Sequence, residues 1–207
     1  MQAAGETAIL AAAAKLFAQQ GFDKVSTRAI AAEAGVSKAN IYHHFSSKEA
    51  LYQAILQSSA AETALLIEKL AGNKGDFDQR LTEFASSHLE HLFERKDAAM
   101  VILREAFSGD EEKCRKLSED VFGKINSRML AVMKTGQDRG SLRSDVDPAL
   151  CAILLMGANI FFFQAQEILK HFPEMKFAYH QDDFSRGMAD VLLNGMLSKP
   201  GSSSKSG

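Results

Sequence analysis

The stretch that begins at Ser26 reads STRAIAAEAGVSKANIYHHF and predicts two short helices joined by a sharp turn. The alanine-rich run predicts the first helix, with Thr27 as its N-cap and Ser26 as an alternative cap. Gly35 follows this run, where a left-handed residue ends a helix at little cost. Ser37 is placed to cap a second helix over about 38–44. These signals together predict a helix-turn-helix.

The polar residues of this stretch are expected to face outward, because its few apolar residues suffice only for a small core. The outward set carries hydrogen-bond donors, aromatic rings and small side chains, with no acid among them. Phosphate oxygens and guanine edges are acceptors, so the pattern suits a helix that enters the major groove of DNA. The outward residues are Arg28, Ser37, Lys38, Ala39, Asn40, Tyr42, His43 and His44.

At these residues the sequence resembles the TetR family of one-component transcriptional regulators. The matching pattern adds ILAAAAKLF at 9–17, Gly21-Phe22, and FSSKEAL at 45–51, so that it covers about residues 5–56. A bare helix-turn-helix is weak evidence, but GVSK, IYHHF and SKE at this spacing are specific. The rest of the chain resembles the family only in length and helical layout.

The resemblance implies roles for individual residues. The position of Thr27 caps its helix against a phosphate in the family, and that of Arg28 reaches a guanine. The leading turn of the second helix meets base edges in such motifs. Lys48, at a helix N-terminus, resembles a phosphate clamp. The predicted DNA-binding set is Thr27, Arg28, Ser37, Lys38, Ala39, Asn40, Tyr42, His43 and Lys48.

Helical periodicity along the remaining chain predicts an all-α fold of about nine helices. We expect an N-terminal three-helix DNA-binding domain over 1–52, with its motif at 26–45. A C-terminal helical domain for ligand binding and dimerisation is expected over 53–198. The segment 199–207 is rich in Ser, Gly and Pro and predicts a disordered tail.

Two later features of the helical layout bear on function. A capping box of Ser46 and Glu49 is expected to open a long fourth helix that links the two domains. A helix over about 148–172 is apolar nearly all round, which predicts burial on more than one side. It is expected to pair with its copy in a homodimer, together with the helix over 181–197, where Gly187 allows close approach.

Composition excludes several classes of protein. The net charge is −2, and the first 56 residues carry one more Lys or Arg than Asp or Glu, so the DNA hypothesis depends on the placement of charge. The chain lacks an unbroken apolar run of about 18 residues and a secretory pattern near Met1, which favours a cytoplasmic protein without a membrane span. No phosphate loop or nucleophile motif is readable, so neither an enzyme nor a cofactor is predicted.

The second domain contains two pairs of possible metal ligands at helical spacing. His88 and His91 are three residues apart, and Glu167 and His171 are four apart. Either pair would supply two metal ligands, but two ligands on one helix are common by chance. The sequence therefore predicts no metal site.

Aromatic and methionine residues of the second domain exceed the needs of a small bundle core. For most of them plain packing is the expected role, but the resemblance implies that a few line a cavity. A minority of polar side chains in such a cavity would orient a ligand. No cationic cluster stands among them, which favours an apolar or neutral effector. The predicted lining is Phe84, His88, Met100, Phe107, Met129, Asn159 and Phe163.

These observations lead to the hypothesis of a ligand-responsive regulator. A dimer would bind a near-palindromic operator as a repressor and be released by a small, largely apolar effector. The first alternative is a helical small-molecule carrier or enzyme with a vestigial helix-turn-helix. The second alternative is an architectural DNA-binding protein with a filled second domain.

Overall fold

The computed structural model describes residues 2–72 and 76–196, without the side chains of 2–4 and 196. The described residues are helical, with no β-strand. Segments α7 and α8 join through a π-helical turn (Ser118–Phe122) into one rod, so nine helical rods confirm the predicted all-α class. The helices are α1 (Gln2–Gln20), α2 (Thr27–Ala34), α3 (Lys38–His44), α4 (Lys48–Ala71), α5 (Phe77–Glu94), α6 (Lys96–Ala106), α7 (Glu111–Leu117), α8 (Gly123–Asp138), α9 (Pro148–Leu169) and α10 (Gln181–Met196).

The helix-turn-helix forms where the capping pattern predicts it. Gly35 has φ 67° and ψ 29°, and its N–H reaches the last carbonyls of α2, so the left-handed end is confirmed. The hydroxyl of Ser37 accepts the N–H of Asn40 at 3.1 Å and caps α3. Thr27, however, is the first residue of α2, and the cap is Ser26, whose Oγ accepts the N–H of Ala29 at 3.1 Å. The alternative cap is thus the one the chain uses.

The start of α4 also differs from the expected pattern. Its cap is Ser47, whose Oγ accepts the N–H of Ala50 at 3.1 Å, and not Ser46. Glu49 lies in the first turn, where hydrogen bonds from its own backbone N–H and from Ser47 lower the pKa of its carboxyl. A carboxylate there also complements the positive end of the helix dipole.

The chain divides into two compact units. Unit 1 comprises the residues up to Glu62 together with Arg95–Gly123, and unit 2 comprises Thr63–Glu94 and the residues from Lys124 onward. The division falls later than the predicted boundary at residue 52, and it assigns α6 and α7 to the N-terminal unit. The functional boundary stays a prediction, and the predicted tail lies outside the described residues.

Unit 1 has one hydrophobic core around α1. Ile9, Phe17, Ile30 and Leu51 are at most 1% exposed, and Val101 of α6 joins them. Three short helices bury too little apolar surface to be stable alone, so α4 and α6 supply the missing cover. The sequence indicated the support from α4 but not that from α6.

Unit 2 is built on α5, which packs against both α9 and α10. An aromatic cluster fills this junction, in which the rings of Phe162 and Phe184 stack at 4.0 Å and Phe93 meets Phe163 at 5.1 Å. Gln166 of α9 donates to the carbonyl of Ala178 at 3.0 Å and ties α9 to the short turn before α10. One side of α9 is therefore fully packed.

The other side of α9 is apolar and is left uncovered by the described residues, so the expected burial on more than one side stays a prediction that depends on the homodimer. Ile153, Phe161 and Ile168 are 68%, 64% and 62% exposed, and Leu150 and Leu154 flank them. By length and composition alone α9 is able to cross a membrane, a test that core helices of other proteins also pass. The periodicity showed that α9 is apolar all round, but not which side its own chain covers.

Candidate nucleic-acid interface and ligand cleft

Helix α3 presents a polar, acid-free face to solvent. Lys38, Ala39, Tyr42 and His43 are exposed, whereas Ile41 is 1% exposed and anchors the helix in unit 1. Their spacing of i, i+1, i+4 and i+5 puts the four exposed residues on one side of the helix. The Lys38 Nζ lies 5.6 Å from the centre of the Tyr42 ring, so cation and ring form one contact surface.

The start of α2 adds a cation to this polar set. Arg28 is exposed in the first turn, and Thr27 beside it is half-buried. Neither the first turn of α2 nor that of α3 contains an acid, so the N–H groups at both helix starts stay attractive to an anion. The arrangement offers donors where phosphate oxygens act as acceptors.

The acids of this region are engaged elsewhere. Glu33, exposed on α2, accepts a hydrogen bond from the Lys15 ammonium at 2.6 Å. The same bond and the charge of Glu33 raise the pKa of Lys15. Glu33 therefore acts within unit 1.

The side chain of Asn40 differs from the predicted outward placement. Its Oδ1 is buried and has no hydrogen-bond partner within the described residues. A Cβ added to Gly5 would lie 3.9 Å from that oxygen and 3.7 Å from Nε2 of His44. Asn40 and His44 thus pack against the start of α1, because that glycine leaves room for them.

Lys48 is held by the chain itself, unlike the clamp that the resemblance implied. Its Nζ donates to the carbonyls of Phe22 at 2.9 Å and Val25 at 3.1 Å, and it lies 4.1 Å from the centre of the Phe22 ring. Two of its three donors are therefore occupied, and the lysine fixes the loop between α1 and α2. This role depends on contacts across more than 20 residues, which the sequence does not reveal.

The seven predicted ligand-binding residues come together only in part, since Phe84 stacks on His88 at 5.6 Å and His88 meets Asn159. Met100 and Phe107 belong to unit 1, and Phe107 is 74% exposed at the end of α6. Met129 and Phe163 are core residues, as the packing interpretation holds for most of the set. Phe84 borders a small cleft of about 80 Å³.

His88 and Asn159 form a buried polar pair between α5 and α9. The Asn159 amide donates to the carbonyl of Ala85 at 2.7 Å and lies 3.2 Å from Nδ1 of His88. Its Oδ1 is buried without a partner among the described residues. Burial, and then the charge of His91, lowers the pKa of His88 to about 4, so the ring is neutral at pH 7 and accepts that amide.

A cleft of about 270 Å³ lies between α4, α5 and α8 and contains none of the predicted ligand-binding residues. Its walls are largely apolar, and it also holds three arginines and one glutamate. The lining predicted from the sequence lacks a cationic cluster, whereas this cleft contains three arginines, and the class of effector stays a prediction. The charged lining residues are Glu68, Arg80, Arg128 and Arg139. Arg128 and Thr135 share one face of α8 and Arg139 follows the last residue of that helix, a spacing that could have revealed the site.

The two candidate metal pairs stay apart from further ligands. Among residues 2–72 and 76–196, no group of three or more His, Cys, Asp or Glu is placed to hold a metal ion. Glu167 accepts a hydrogen bond from Lys170 at 2.8 Å, and His88 faces Asn159.

Two family models match this chain. The model described as bacterial regulatory proteins, tetR family, matches residues 9–55, and the one described as tetracyclin repressor-like, C-terminal domain, matches residues 74–162. Together the two matches cover most of the chain and both of its predicted domains.

Individual relatives agree with the family models. The HTH-type transcriptional regulator UidR of Escherichia coli strain K12 is 28% identical over 151 residues, 72% of this chain and 75% of the relative. The nucleoid occlusion factor SlmA of Marinobacter nauticus is 25% identical over 150 residues, 72% of this chain and 76% of the relative. The fatty acid degradation regulator FadR from Bacillus halodurans, at 19% identity, superposes with a TM-score of 0.76 over 92% of this chain and 95% of that chain, which shows a shared fold.

Proposed function

Because this chain belongs to the TetR family of transcriptional regulators, which bind DNA and are not enzymes, we propose that it is a ligand-responsive repressor. It binds a near-palindromic operator as a homodimer in the cytoplasm and leaves the operator when a small, largely apolar effector binds unit 2. The observation that carries the proposal is the exposed, acid-free face of α3.

The proposed DNA contacts follow from exposure. Arg28, Lys38 and Tyr42 reach the DNA with solvent-exposed cationic and aromatic groups, and His43 extends the same face. Ser37 and Ala39 line the leading turn of α3, where a small side chain permits close approach to a base edge. Thr27 adds a contact at the start of α2. Asn40 and Lys48 act from behind this surface, by holding α3 and the preceding loop in place.

The exposed face of α9 supports a homodimer. A contiguous apolar face on a folded chain marks an interaction surface, and a second copy covers it by two-fold symmetry. On α10, Val191 is 72% exposed, and a Cβ added at Gly187 or Gly195 would meet nothing within 4 Å, so this helix is able to join the same interface. Symmetry then requires two half-sites about 34–36 Å apart, which is one DNA turn.

A lipid bilayer is a weaker candidate for covering the face of α9. The packed side of the helix carries Asn159 and Gln166, whose amides donate to backbone carbonyls of unit 2. Helix α9 is therefore tied into a bundle along one side, and only a stripe of it needs cover. A second copy of the chain matches that stripe without exposing the amides to hydrocarbon.

The effector acts only through its preference for one conformation over another. An effector that favours a form with a different spacing of the two α3 helices lowers the population that fits the operator. Helix α4 is the candidate for transmission, since it continues without a break from unit 1 into unit 2. Repression is the sign we propose, because loss of DNA binding then switches the regulated genes on.

The test is a footprint of the purified protein on the DNA that flanks its own gene. We expect Arg28→Ala and Tyr42→Ala each to abolish the footprint while the dimer mass and helical content stay unchanged. Wild-type protein without any footprint across genomic fragments would contradict the proposal. It would favour the helical carrier or enzyme, which predicts ligand binding or turnover without specific DNA.

The same footprint distinguishes the proposed repressor from the architectural DNA-binding protein. A protein without an effector would keep its footprint in the presence of every small molecule and would show no ligand-induced change in unit 2. The proposal instead predicts that one class of small molecule removes the footprint at a concentration that also saturates the free protein.

A further inference from the structure

We propose that the cleft between α4, α5 and α8 binds a small carboxylate with an apolar body, and that Arg80 holds the carboxylate group. This assignment rests on the proposed effector role of unit 2 and names the chemical class of the effector. It replaces the uncharged ligand that the sequence favoured.

The charges that line the cleft favour an anion. Arg80, Arg128 and Arg139 face one acid, Glu68. Glu68 is already paired, because its Oε1 lies 2.8 Å from Nη1 of Arg128. The acid of the lining is thereby matched by Arg128, so a ligand with one negative group meets Arg80 without competition from that acid.

Arg80 has a donor, its Nε, that the described residues leave unused. Its Nη1 donates to the carbonyl of Leu70 at 3.0 Å near the end of α4, and its guanidinium lies 5.4 Å from the centre of the Phe77 ring. Its Nε is buried and has no hydrogen-bond partner within the described residues. A buried donor without an acceptor is costly, so an acceptor at this edge is favoured.

Other arginines of the chain show what this edge binds. Arg95 holds Glu62, Arg115 holds Glu112 and Arg143 holds Asp145, each through Nε and Nη2. A carboxylate matches the two parallel donors in spacing and plane. Arg80 lines the cleft, and its Nε has no acid of the described residues as a partner.

The size and walls of the cleft describe the rest of the ligand. Ile67, Leu70, Phe77 and Val132 provide apolar walls beside the arginines. A volume of about 270 Å³ lies near the lower end of known ligand clefts, which begin at roughly 300 Å³. We therefore expect a short aliphatic or single-ring acid rather than a long or multiply charged molecule.

The test is calorimetric titration of the full chain, in the absence of DNA, with hexanoate and with hexanamide. We expect hexanoate to bind about 10-fold or more tightly than the neutral amide, because a charge-assisted bond to the guanidinium is lost in the amide. Arg80→Lys keeps the positive charge but removes the paired donors, so it should weaken hexanoate by about 10- to 100-fold and leave hexanamide unchanged. Arg115→Lys is the matched control, since its edge already holds Glu112.

Three results would overturn the assignment. They are equal affinity for hexanoate and hexanamide, unchanged hexanoate affinity in a folded Arg80→Lys protein, and binding of hexyl phosphate at least 10-fold tighter than hexanoate. A protein that binds its operator but not hexanoate likewise removes this inference and leaves the proposed DNA role standing. Hexanoate binding by a protein that fails to bind DNA supports the ligand class and contradicts the proposed function.

Discussion

Helices α3 and α9 each have one face that the described residues leave uncovered, but the two faces have opposite chemistry. Helix α3 exposes Lys38, Tyr42 and His43, whereas α9 exposes a stripe that includes Ile153 and Phe161. Water solvates the first face well and the second poorly. A polar face is stable with or without its partner, but an apolar face of this extent needs permanent cover. The comparison indicates a transient partner for α3 and a constant one for α9.

The strongest test of this difference places a charge in the apolar stripe. We expect Ile153→Asp to weaken the dimer roughly 100-fold or more, because symmetry puts two buried carboxylates and two lost isoleucine contacts in one interface. Sedimentation equilibrium measures the mass, and DNA affinity should fall with it. Leu65→Asp, at a 58% exposed leucine of α4, is the control and should leave the mass unchanged. Equal effects of both changes would contradict the assignment of this face.

A second test concerns the packed side of α9. The pKa of His88 is about 4 in the folded protein and 6.5 in the unfolded chain, because burial disfavours the charged ring. The unfolded chain therefore binds more protons between these values, and stability is lost as the pH falls from 6.5 towards 4, by about 3 kcal/mol in all. Urea unfolding at a series of pH values measures the loss.

The control for this test is His88→Gln, which removes the titrating group. That variant should unfold with a weaker dependence on pH across the same interval, whatever its stability at pH 7. If wild type and variant lost stability in parallel below pH 6.5, the buried pair with Asn159 would not be the source.

A third test separates two lysines of unit 1. Lys48→Ala should cost about 1–3 kcal/mol of unfolding free energy, because two loop carbonyls lose a charged donor. Lys38→Ala, at an exposed residue, should leave stability nearly unchanged and reduce the salt dependence of DNA binding by about one unit of slope. Thermal unfolding and titrations at several salt concentrations measure the two effects. A lower salt slope in a fully stable Lys48→Ala protein would instead support the role of Lys48 as a phosphate clamp.

The smallest expected effect comes from Gly157, an exposed glycine of α9. A Cβ at this position would meet nothing within 4 Å in one chain, so Gly157→Ala should stabilise a free chain by about 1 kcal/mol through helix propensity. Within a close helix pairing the added methyl group weakens the dimer instead. The effect of Gly157→Ala on the free energy of unfolding is measured in the wild type and in the Ile153→Asp variant. The gain in stability should appear only in the Ile153→Asp variant, whose chains are not paired.

Much of the helix-turn-helix was predictable because its signals are local. The turn at Gly35, the cap at Ser37 and the exposed side of α3 follow from capping chemistry and from i, i+4 spacing, which act within a few residues. The nine helical rods follow from periodicity in the same way. Where two serines adjoin, at Ser46 and Ser47, the predicted cap was wrong by one residue.

The sequence by itself therefore determined the helices, the turn at Gly35, the cap at Ser37 and the chemistry of the face that α3 exposes. Only the tertiary structure decided that Lys48 holds a loop, that α6 joins unit 1, that one side of α9 is bare, and that Arg80 lies in a cleft with two further arginines. These features depend on contacts between residues far apart in the chain. Such contacts are selected by packing against distant helices, so the local sequence pattern does not predict them.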